Sequence, residues 1–372
     1  MDLWDRLQAE TPFLVAEIGK NFIQTERAVP AADYLANALA LVDAAASSGA
    51  DAVKFQTHVV DDEQAPLPVV APHFNGADRY SWVRRNTEVT PPEFWRTVKH
   101  RCAELGVVFF STPMSRRAAQ RLVEADVPLW KVSSGDILDF VLLDFLRRRS
   151  EPIIISSGMS TLAEVDLAIR FLRENTSKIV LLHCISKYPA DPQEMQLGVI
   201  PFFQQRYGIP IGFSDHSLGW EAALGAAAIG TRVIEKHFSL SRDLWGSDHK
   251  VSMTPAEFAE MARRVRDKKF STVAAELFMG DPVADELPDA GSEFRGYFRK
   301  SLVAARNITT GEVIEPDMLY AMRPQALLGG LPSERYEEVV GQQASASVSA
   351  GHVLLEEAVS LGASRERRVD AL

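Results

Sequence analysis

Short runs of strand-forming residues alternate with helix-like segments through about two thirds of the chain, and this alternation most constrains the fold. Eight such runs in ~250 residues are typical of an α/β chain that closes into a (β/α)8 TIM barrel. A doubly wound open sheet often has a glycine-rich first turn, and neither GxGxxG nor GxxxxGK[ST] is present. The predicted strands are 13–19, 51–57, 107–113, 129–135, 152–158, 178–184, 209–215 and 232–238.

The composition changes after residue 278, where an acidic segment with proline and glycine has the character of a linker. Short alternating runs separated by "TTG" and "SAG" turns follow it and predict a small β-rich domain of ~70 residues. We therefore divide the chain into a catalytic barrel at 1–278, a linker at 279–296 and a C-terminal domain at 297–372.

The segment 58–90 shows little periodicity and carries Tyr80, Trp82 and Arg84. Irregular segments of this length inside compact domains are often functional. We predict a long loop that forms a lid over the mouth of the barrel.

Composition and charge limit the class of protein. The formal net charge of −10 argues against nucleic acid and anionic membrane as partners, but a locally basic pocket for a small anion remains compatible with it. No run of ~18 apolar residues occurs, and the acidic N-terminus lacks the apolar region of a signal peptide, which predicts a soluble cytoplasmic protein. Cys102 and Cys184 have no CxxC partner, so we expect buried free thiols.

Polar residues stand at the carboxyl ends of all eight predicted strands, where barrel enzymes place their chemistry. Serines at these positions are often helix N-caps, and a glutamate there can simply pair with a lysine. Lysines in a closed barrel have no sheet edge from which to reach water, so they favour a functional explanation. The strand-end residues are Glu17, Lys54, Gln56, Ser111, Thr112, Lys131, Ser134, Asp136, Ser156, Ser157, His183, Ser214, His216, Lys236 and His237.

Two kinds of site follow from these residue types. Lysines and hydroxyl groups that converge on one mouth form a cradle for phosphate or carboxylate. His216 and His237 end successive strands, and two neutral imidazoles leave positions open on a divalent ion. We therefore predict an anion site beside a metal site.

The motifs "AEIG", "KFQT", "STP", "SSGD", "SSGMS", "LLHC", "GFSDHSLG" and "EKHF" occur in this order. Together they resemble the N-acetylneuraminate (sialic acid) synthase family, and "RKSLVAARNITTGEVI" resembles its C-terminal antifreeze-like (SAF) domain, a β-clip fold. The resemblance extends from Phe13 to about Val359. It implies a transferase that condenses phosphoenolpyruvate with an N-acyl hexosamine such as N-acetylmannosamine and releases phosphate.

The resemblance also implies roles for individual residues and for a second subunit. His216 and His237 would bind Mn²⁺, which polarises the open-chain aldehyde. It further implies a domain-swapped homodimer in which Arg323 of the SAF domain reaches the sugar in the partner's barrel. Phosphoenolpyruvate would be held by Lys54, Thr112, Lys131, Ser134, Ser156 and Ser214, and Glu17, Gln56, Tyr188 and Asp248 would contact the sugar or position water. Asp136 and Lys236, also at strand ends, complete the set of predicted substrate-binding residues.

The chain departs from the family pattern on the acceptor side. After "AEIG" the family often reads "-NHNG", with any residue first, whereas this chain has Lys20-Asn21-Phe22-Ile23-Gln24; Ser186-Lys187 precede "YP" where asparagine is frequent, and Asp136 stands where some members have glutamate. An acceptor that leads to a legionaminate-like or pseudaminate-like acid therefore remains open. So do a 3-deoxy sugar acid synthase of the same barrel class and, in a different class, a non-catalytic sugar-binding scaffold.

Overall fold

The structure is a computed structural model that describes residues 2–70, 78–281 and 286–360. Eight parallel strands form a closed barrel in sequential order, with β8 paired to β1, as the sequence predicts. Each observed strand lies within one predicted run. The strands are β1 Phe13–Gly19, β2 Ala52–Thr57, β3 Val108–Pro113, β4 Trp130–Val132, β5 Ile153–Ser156, β6 Ile179–Cys184, β7 Ile211–Asp215 and β8 Val233–His237.

Apolar side chains fill the amino-terminal half of the barrel interior. Phe13, Val15, Phe110, Leu182 and Val233 pack there in one buried cluster, which Leu7 of an N-terminal helix closes from below. This packing leaves space only at the carboxyl ends of the strands, where the polar residues lie.

Helices surround the barrel and present their apolar faces to the outer side of the strands. Several begin at a polar cap: the side chains of Thr161 and Glu164, and of Thr254 and Glu257, form capping boxes. The helices of the barrel domain are α1 Leu3–Gln8, α2 Ala31–Ser47, α3 Arg79–Val89, α4 Pro92–Glu104, α5 Arg116–Glu124, α6 Phe140–Arg147, α7 Leu162–Arg173, α8 Val199–Tyr207, α9 Glu221–Ala228, α10 Pro255–Arg266 and α11 Thr272–Leu277.

The C-terminal domain contains an antiparallel pair of strands, β9 Ser301–Ala304 and β10 Leu319–Met322, and several isolated bridges. Short helices precede and follow the two strands: α12 Arg295–Phe298 before them, and α13 Gln325–Leu328 and α14 Tyr336–Val339 after them. The domain packs on its own barrel, because the Arg116 guanidinium of α5 donates hydrogen bonds to the carbonyl oxygens of Pro316 and Leu319, at 2.6 and 2.8 Å.

The predicted lid loop requires a correction. Within 58–90, residues Val60–Asp62 form a 3₁₀ turn and Arg79–Val89 form α3, while 71–77 lie outside the described residues. The Asp78 carboxylate caps α3 by accepting from the Ser81 amide at 3.0 Å, and Trp82 and Asn86, one turn apart, are buried. The helix thus depends on a cap and a narrow buried stripe that a mostly polar sequence conceals.

The predicted linker and cysteines have defined places. In the described part of 279–296, the Asp289 carboxylate accepts hydrogen bonds from the amides of Met159 and Ser186, both at 2.8 Å, so this part is anchored to the barrel. Cys102 and Cys184 are buried free thiols, as predicted. Within the described residues, no helix has the length and apolar character needed to cross a membrane.

Candidate active site

A cavity of about 620 Å³ opens at the carboxyl ends of the barrel strands. Thirteen of the fifteen predicted site residues line it, although they come from eight barrel segments and the C-terminal domain. These are Glu17, Lys54, Gln56, Thr112, Lys131, Ser134, Ser156, Tyr188, Ser214, His216, His237, Asp248 and Arg323.

Lys54 lies at the centre of a buried charge network. Its ammonium is 2.6 Å from Glu17 Oε2 and 3.5 Å from Glu235 Oε1, and it donates to Thr112 Oγ1 at 3.2 Å. Burial lowers the pKa of Lys54, but the two carboxylates outweigh burial and the net shift is upward. Lys54 therefore stays charged, and Gln56 holds the other oxygen of Glu17 by donating to Oε1 at 3.0 Å.

Lys131 is equally buried but has different partners. Its ammonium donates to Ser156 Oγ at 2.6 Å and to the Val132 carbonyl at 3.0 Å, and no carboxylate of the described residues lies within ion-pair distance. Burial lowers the pKa of Lys131. A 2% exposed ammonium without a counterion is costly, so this part of the cavity is suited to an anionic ligand.

Two glycines allow the loops to approach one another at the site. Gly19 has φ +55°, and a Cβ there would lie 3.0 Å from Glu17 Oε1 and 3.2 Å from Gln56 Nε2. A Cβ at Gly158 would lie 2.5 Å from Ser186 Oγ and 2.6 Å from Ser134 Oγ. Both glycines thus keep space free around polar groups of the cavity.

The two histidines lie side by side, with ring centroids 5.4 Å apart, and the Tyr188 ring is 4.2 Å from that of His216. The His216 Nδ1 atom is 2.7 Å from the Ile185 carbonyl oxygen; that nitrogen therefore carries the proton and Nε2 has a free lone pair. Burial lowers the pKa of His237 to about 3, and its buried Nδ1 has no hydrogen-bond partner among the described residues.

These features fit a divalent metal ion, because neutral imidazoles with available lone pairs are good ligands. Among the described residues, no group of three or more His, Cys, Asp or Glu side chains is arranged to hold a metal ion. Such an ion would therefore need further ligands from substrate and water, which is typical of a catalytic rather than a structural site.

Glu235 is a cavity residue that the sequence prediction missed. Its Oε1 accepts from Ser214 Oγ at 3.2 Å, and its Oε2 has no hydrogen-bond partner among the described residues. The signal was present in the alternation of β8, since a strand that directs His237 inward also directs Glu235 inward.

The same alternation corrects the prediction for Lys236, which does not line the cavity. Its ammonium pairs with Asp215 Oδ2 at 3.0 Å and donates to the Ser217 carbonyl at 2.6 Å. The side chain faces the outer side of the barrel, so a contact between Lys236 and substrate does not fit this position.

Asp136 also differs from its predicted role, because it is fully buried outside the lining of the cavity. It accepts from the Arg323 guanidinium and lies 2.9 Å from the Lys300 ammonium, which is 2.6 Å from Asp139. Asp136 therefore anchors the C-terminal domain and holds Arg323 in place instead of contacting substrate.

Arg323 lines the cavity of the chain to which it belongs, within 5.6 Å of the Phe298 ring centroid. The predicted exchange of this domain between two subunits is therefore not seen within the single chain. An exchanged dimer would form the same contacts between subunits, so the exchange stays a prediction.

The wall between β1, β2 and α3 contains residues that the sequence prediction did not assign. Lys20, His58 and Arg79 line the cavity there, beside Trp245 from the loop after β8. The His58 Nδ1 is 2.8 Å from Glu63 Oε2, and Arg79 Nε donates to Gln64 Oε1 at 3.1 Å. The signal in the sequence was the altered segment Lys20-Asn21-Phe22 after "AEIG".

Comparison with known proteins identifies two families along the chain. Residues 41–274 match the NeuB family model, and residues 299–360 match the SAF domain. The chain is 30% identical to N,N'-diacetyllegionaminic acid synthase of Campylobacter jejuni over 85% of this chain and 93% of that protein. It is also 30% identical to human N-acetylneuraminate-9-phosphate synthase over 93% of this chain and 92% of that protein.

A solved structure has the same architecture. The spore coat polysaccharide biosynthesis protein SpsE of Bacillus subtilis is 29% identical, covers 95% of this chain and 96% of its own, and gives a TM-score of 0.75. The barrel and the SAF domain are thus both confirmed.

Proposed function

The chain belongs to the NeuB family, and we propose that it is a nonulosonic acid synthase. In the proposed reaction it condenses phosphoenolpyruvate with the open-chain form of an N-acyl hexosamine. The enol carbon forms a bond to the aldehyde carbon, water adds to the resulting cationic carbon, and the tetrahedral intermediate expels inorganic phosphate. The product is a nine-carbon 2-keto acid.

The observation that carries the proposal is the environment of Lys131. Its ammonium is buried at the end of β4 among hydroxyl groups and has no carboxylate of the described residues within ion-pair distance. Phosphoenolpyruvate bears a phosphate and a carboxylate, and Lys54 provides a second cation from β2. Hydroxyls of Thr112, Ser134, Ser156 and Ser214 lie on the same wall as donors for the anion.

The acceptor has a separate set of groups in the proposal. Glu17 is held by Lys54 and Gln56, so its carboxylate keeps a fixed position for orienting water or a sugar hydroxyl. Tyr188 and Asp248 border the same space from the loops after β6 and β8. Arg323 brings a guanidinium from the C-terminal domain for the acyl oxygen of the sugar.

A divalent ion such as Mn²⁺ would be held by His216 and His237, and when bound it would polarise the aldehyde of the acceptor. The chain's own contribution is to hold the two imidazoles close together and, by burial, to favour the neutral form of His237.

The identity of the acceptor sugar is a finer part of the proposal. Relatives at about this identity include synthases named for legionaminic acid, pseudaminic acid and N-acetylneuraminate 9-phosphate. We expect this choice to depend on the loops around the cavity, because the donor residues lie on the strands. The dimer implied by the resemblance also remains part of the proposal.

Phosphate release tests the function. Purified protein with phosphoenolpyruvate and Mn²⁺ should release phosphate only when an N-acyl hexosamine is added, and mass spectrometry should detect the 2-keto acid. Lys131→Met should remove this activity, whereas Lys178→Met, which changes an exposed lysine on the same barrel, should not. Absence of turnover with every acyl hexosamine in the presence of metal would favour the scaffold alternative.

A further inference from the structure

Lys20 places a cation in the cavity that has no ion-pair partner in the described part of the chain. The residue is half-buried in the loop after β1 and lines the cavity. Its ammonium makes no hydrogen bond or ion pair with any described residue, and it lies 5.9 Å from the centroid of the Trp82 ring. Burial lowers the pKa of Lys20, and the attraction of Asp248 does not compensate for burial.

The carboxylates around Lys20 do not neutralise it directly. Glu63 is engaged by His58, at 2.8 Å, and by Arg79, at 3.8 Å. Asp248 lines the same cavity and attracts the Lys20 ammonium, but this attraction does not outweigh the effect of burial.

Arg79 adds a second cation to this wall. Its guanidinium lies 4.7 Å from the centroid of the Phe298 ring, which also carries Arg323 at 5.6 Å. Burial, followed by repulsion from Arg323, lowers the pKa of Arg79 to about 10. Clustered cations in a partly desolvated wall are unfavourable unless an anion joins them.

The charge is uneven across the cavity. Six lysines and arginines line it against three acidic residues. Two of those three, Glu17 and Glu235, lie beside Lys54 on the donor side. On the wall opposite, Arg79 lies 3.8 Å from Glu63, so Lys20 is the cation there that has no carboxylate of the described residues within ion-pair distance.

We propose that the acceptor of this enzyme carries an oxyanion, either a carboxylate or a phosphate ester, and that Lys20 and Arg79 bind it. The inference rests on the proposed function and specifies its acceptor. The neutral Nε2 edge of His58 lies on the same wall, where it suits a hydroxyl of the sugar, because Nδ1 is held by Glu63.

The test compares three acceptors with phosphoenolpyruvate and Mn²⁺: N-acetylmannosamine, its 6-phosphate and N-acetylmannosaminuronate. We expect kcat/KM for at least one anionic acceptor to exceed that for the neutral sugar by about 30-fold, as for a desolvated charge-assisted contact. The two anionic acceptors distinguish phosphate from carboxylate.

Variants then test whether Lys20 and Arg79 cause the preference for an anionic acceptor. Lys20→Met should lower kcat/KM for the preferred anionic acceptor by about 30-fold while changing the neutral sugar and the KM for phosphoenolpyruvate less than about 3-fold. Lys20→Asn, which also removes the charge, should have the same direction. Arg79→Gln should also reduce the preference, whereas the matched control Arg84→Gln, on the exposed face of α3, should not.

Each result bears on a different claim. Turnover with the neutral sugar at equal or higher efficiency overturns the inference and leaves the proposed function intact. A rise in the KM for phosphoenolpyruvate without a change in acceptor preference assigns Lys20 to the donor and also overturns it. Lack of turnover with all three sugars counts against the proposed function. In that case, calorimetric binding of an anionic sugar that is lost in Lys20→Met would still support the inference about the anion site. Absence of such binding would refute the inference.

Discussion

Lys131 and Lys20 place ammonium groups on two sides of one cavity, and neither has a carboxylate of the described residues within ion-pair distance. Lys131 is on a barrel strand, 2% exposed, and is held by Ser156 and a backbone carbonyl. Lys20 is in a loop, half-buried, with an aromatic ring as its neighbour. The first is positioned by the sheet, the second only by the packing of loops.

The difference suggests that strand residues and loop residues bind different parts of the substrates. Strand ends are held in register by backbone hydrogen bonds, so the donor residues at β2, β4 and β5 have little freedom to vary. Loops tolerate substitution because fewer contacts depend on them. The chemistry of the reaction would thus depend on the strands, and the choice of acceptor on the wall that contains Lys20.

The largest expected effect comes from removing the proposed metal ion. Chelation of the metal should abolish phosphate release with every acceptor, and added Mn²⁺ should restore it, because the ion proposed at His216 and His237 would polarise the aldehyde of every acceptor. Calorimetry should show loss of tight Mn²⁺ binding in His237→Ala but not in His100→Ala, which changes an exposed histidine. Full activity of the chelated enzyme would exclude the metal site.

The next effect separates the donor side from the acceptor side. Lys131→Met should lower kcat/KM for phosphoenolpyruvate at least about 100-fold with any acceptor, since it deletes a desolvated charge while keeping most of the stem. Steady-state kinetics with varied phosphoenolpyruvate measures this. An unchanged KM and kcat would contradict the assignment of Lys131 to the donor, because Lys131 would then be a structural residue.

A third experiment asks which barrel each C-terminal domain serves. Arg323→Ala should lower kcat/KM for the acceptor about 10-fold or more while KM for phosphoenolpyruvate stays nearly constant. If each barrel uses the arginine of its partner, as in the proposed dimer, a mixture of Lys131→Met and Arg323→Ala subunits should regain part of the activity, because one site of the heterodimer has neither defect. No recovery after proven subunit exchange would mean that each domain serves its own barrel.

The smallest effect concerns stability. Burial lowers the pKa of Lys131 below the value of an unfolded lysine, so the unfolded state binds more protons between the two pKa values and stability rises with pH in that interval. Lys131→Met should therefore be more stable than the parent protein at pH 7. Denaturant unfolding should show this advantage shrinking as the pH approaches ~10.4, the ordinary lysine value. An advantage independent of pH would mean that the cost of Lys131 is not its charge.

Prediction from sequence succeeded where structure is local. Strand periodicity and the polar residues after each strand located the barrel, and the order of the motifs identified the family. It failed for α3, whose mostly polar sequence has a narrow buried face, and for Lys236, where the inward alternation of β8 favours Glu235 and His237. Alternation along a strand was available as a signal and would have corrected the second error.

The amino-acid sequence by itself determined the order of strands and helices, the division into two domains and the residue types at the strand ends. Only the tertiary structure decided that Asp136 pairs with Arg323 and Lys300 and lies outside the lining of the cavity, because those partners are far from Asp136 along the chain. It likewise brought Lys20 and Arg79 to one wall. Periodicity reports which face of an element is buried, but which charges meet depends on how distant segments pack, and that packing sets the electrostatics of the site.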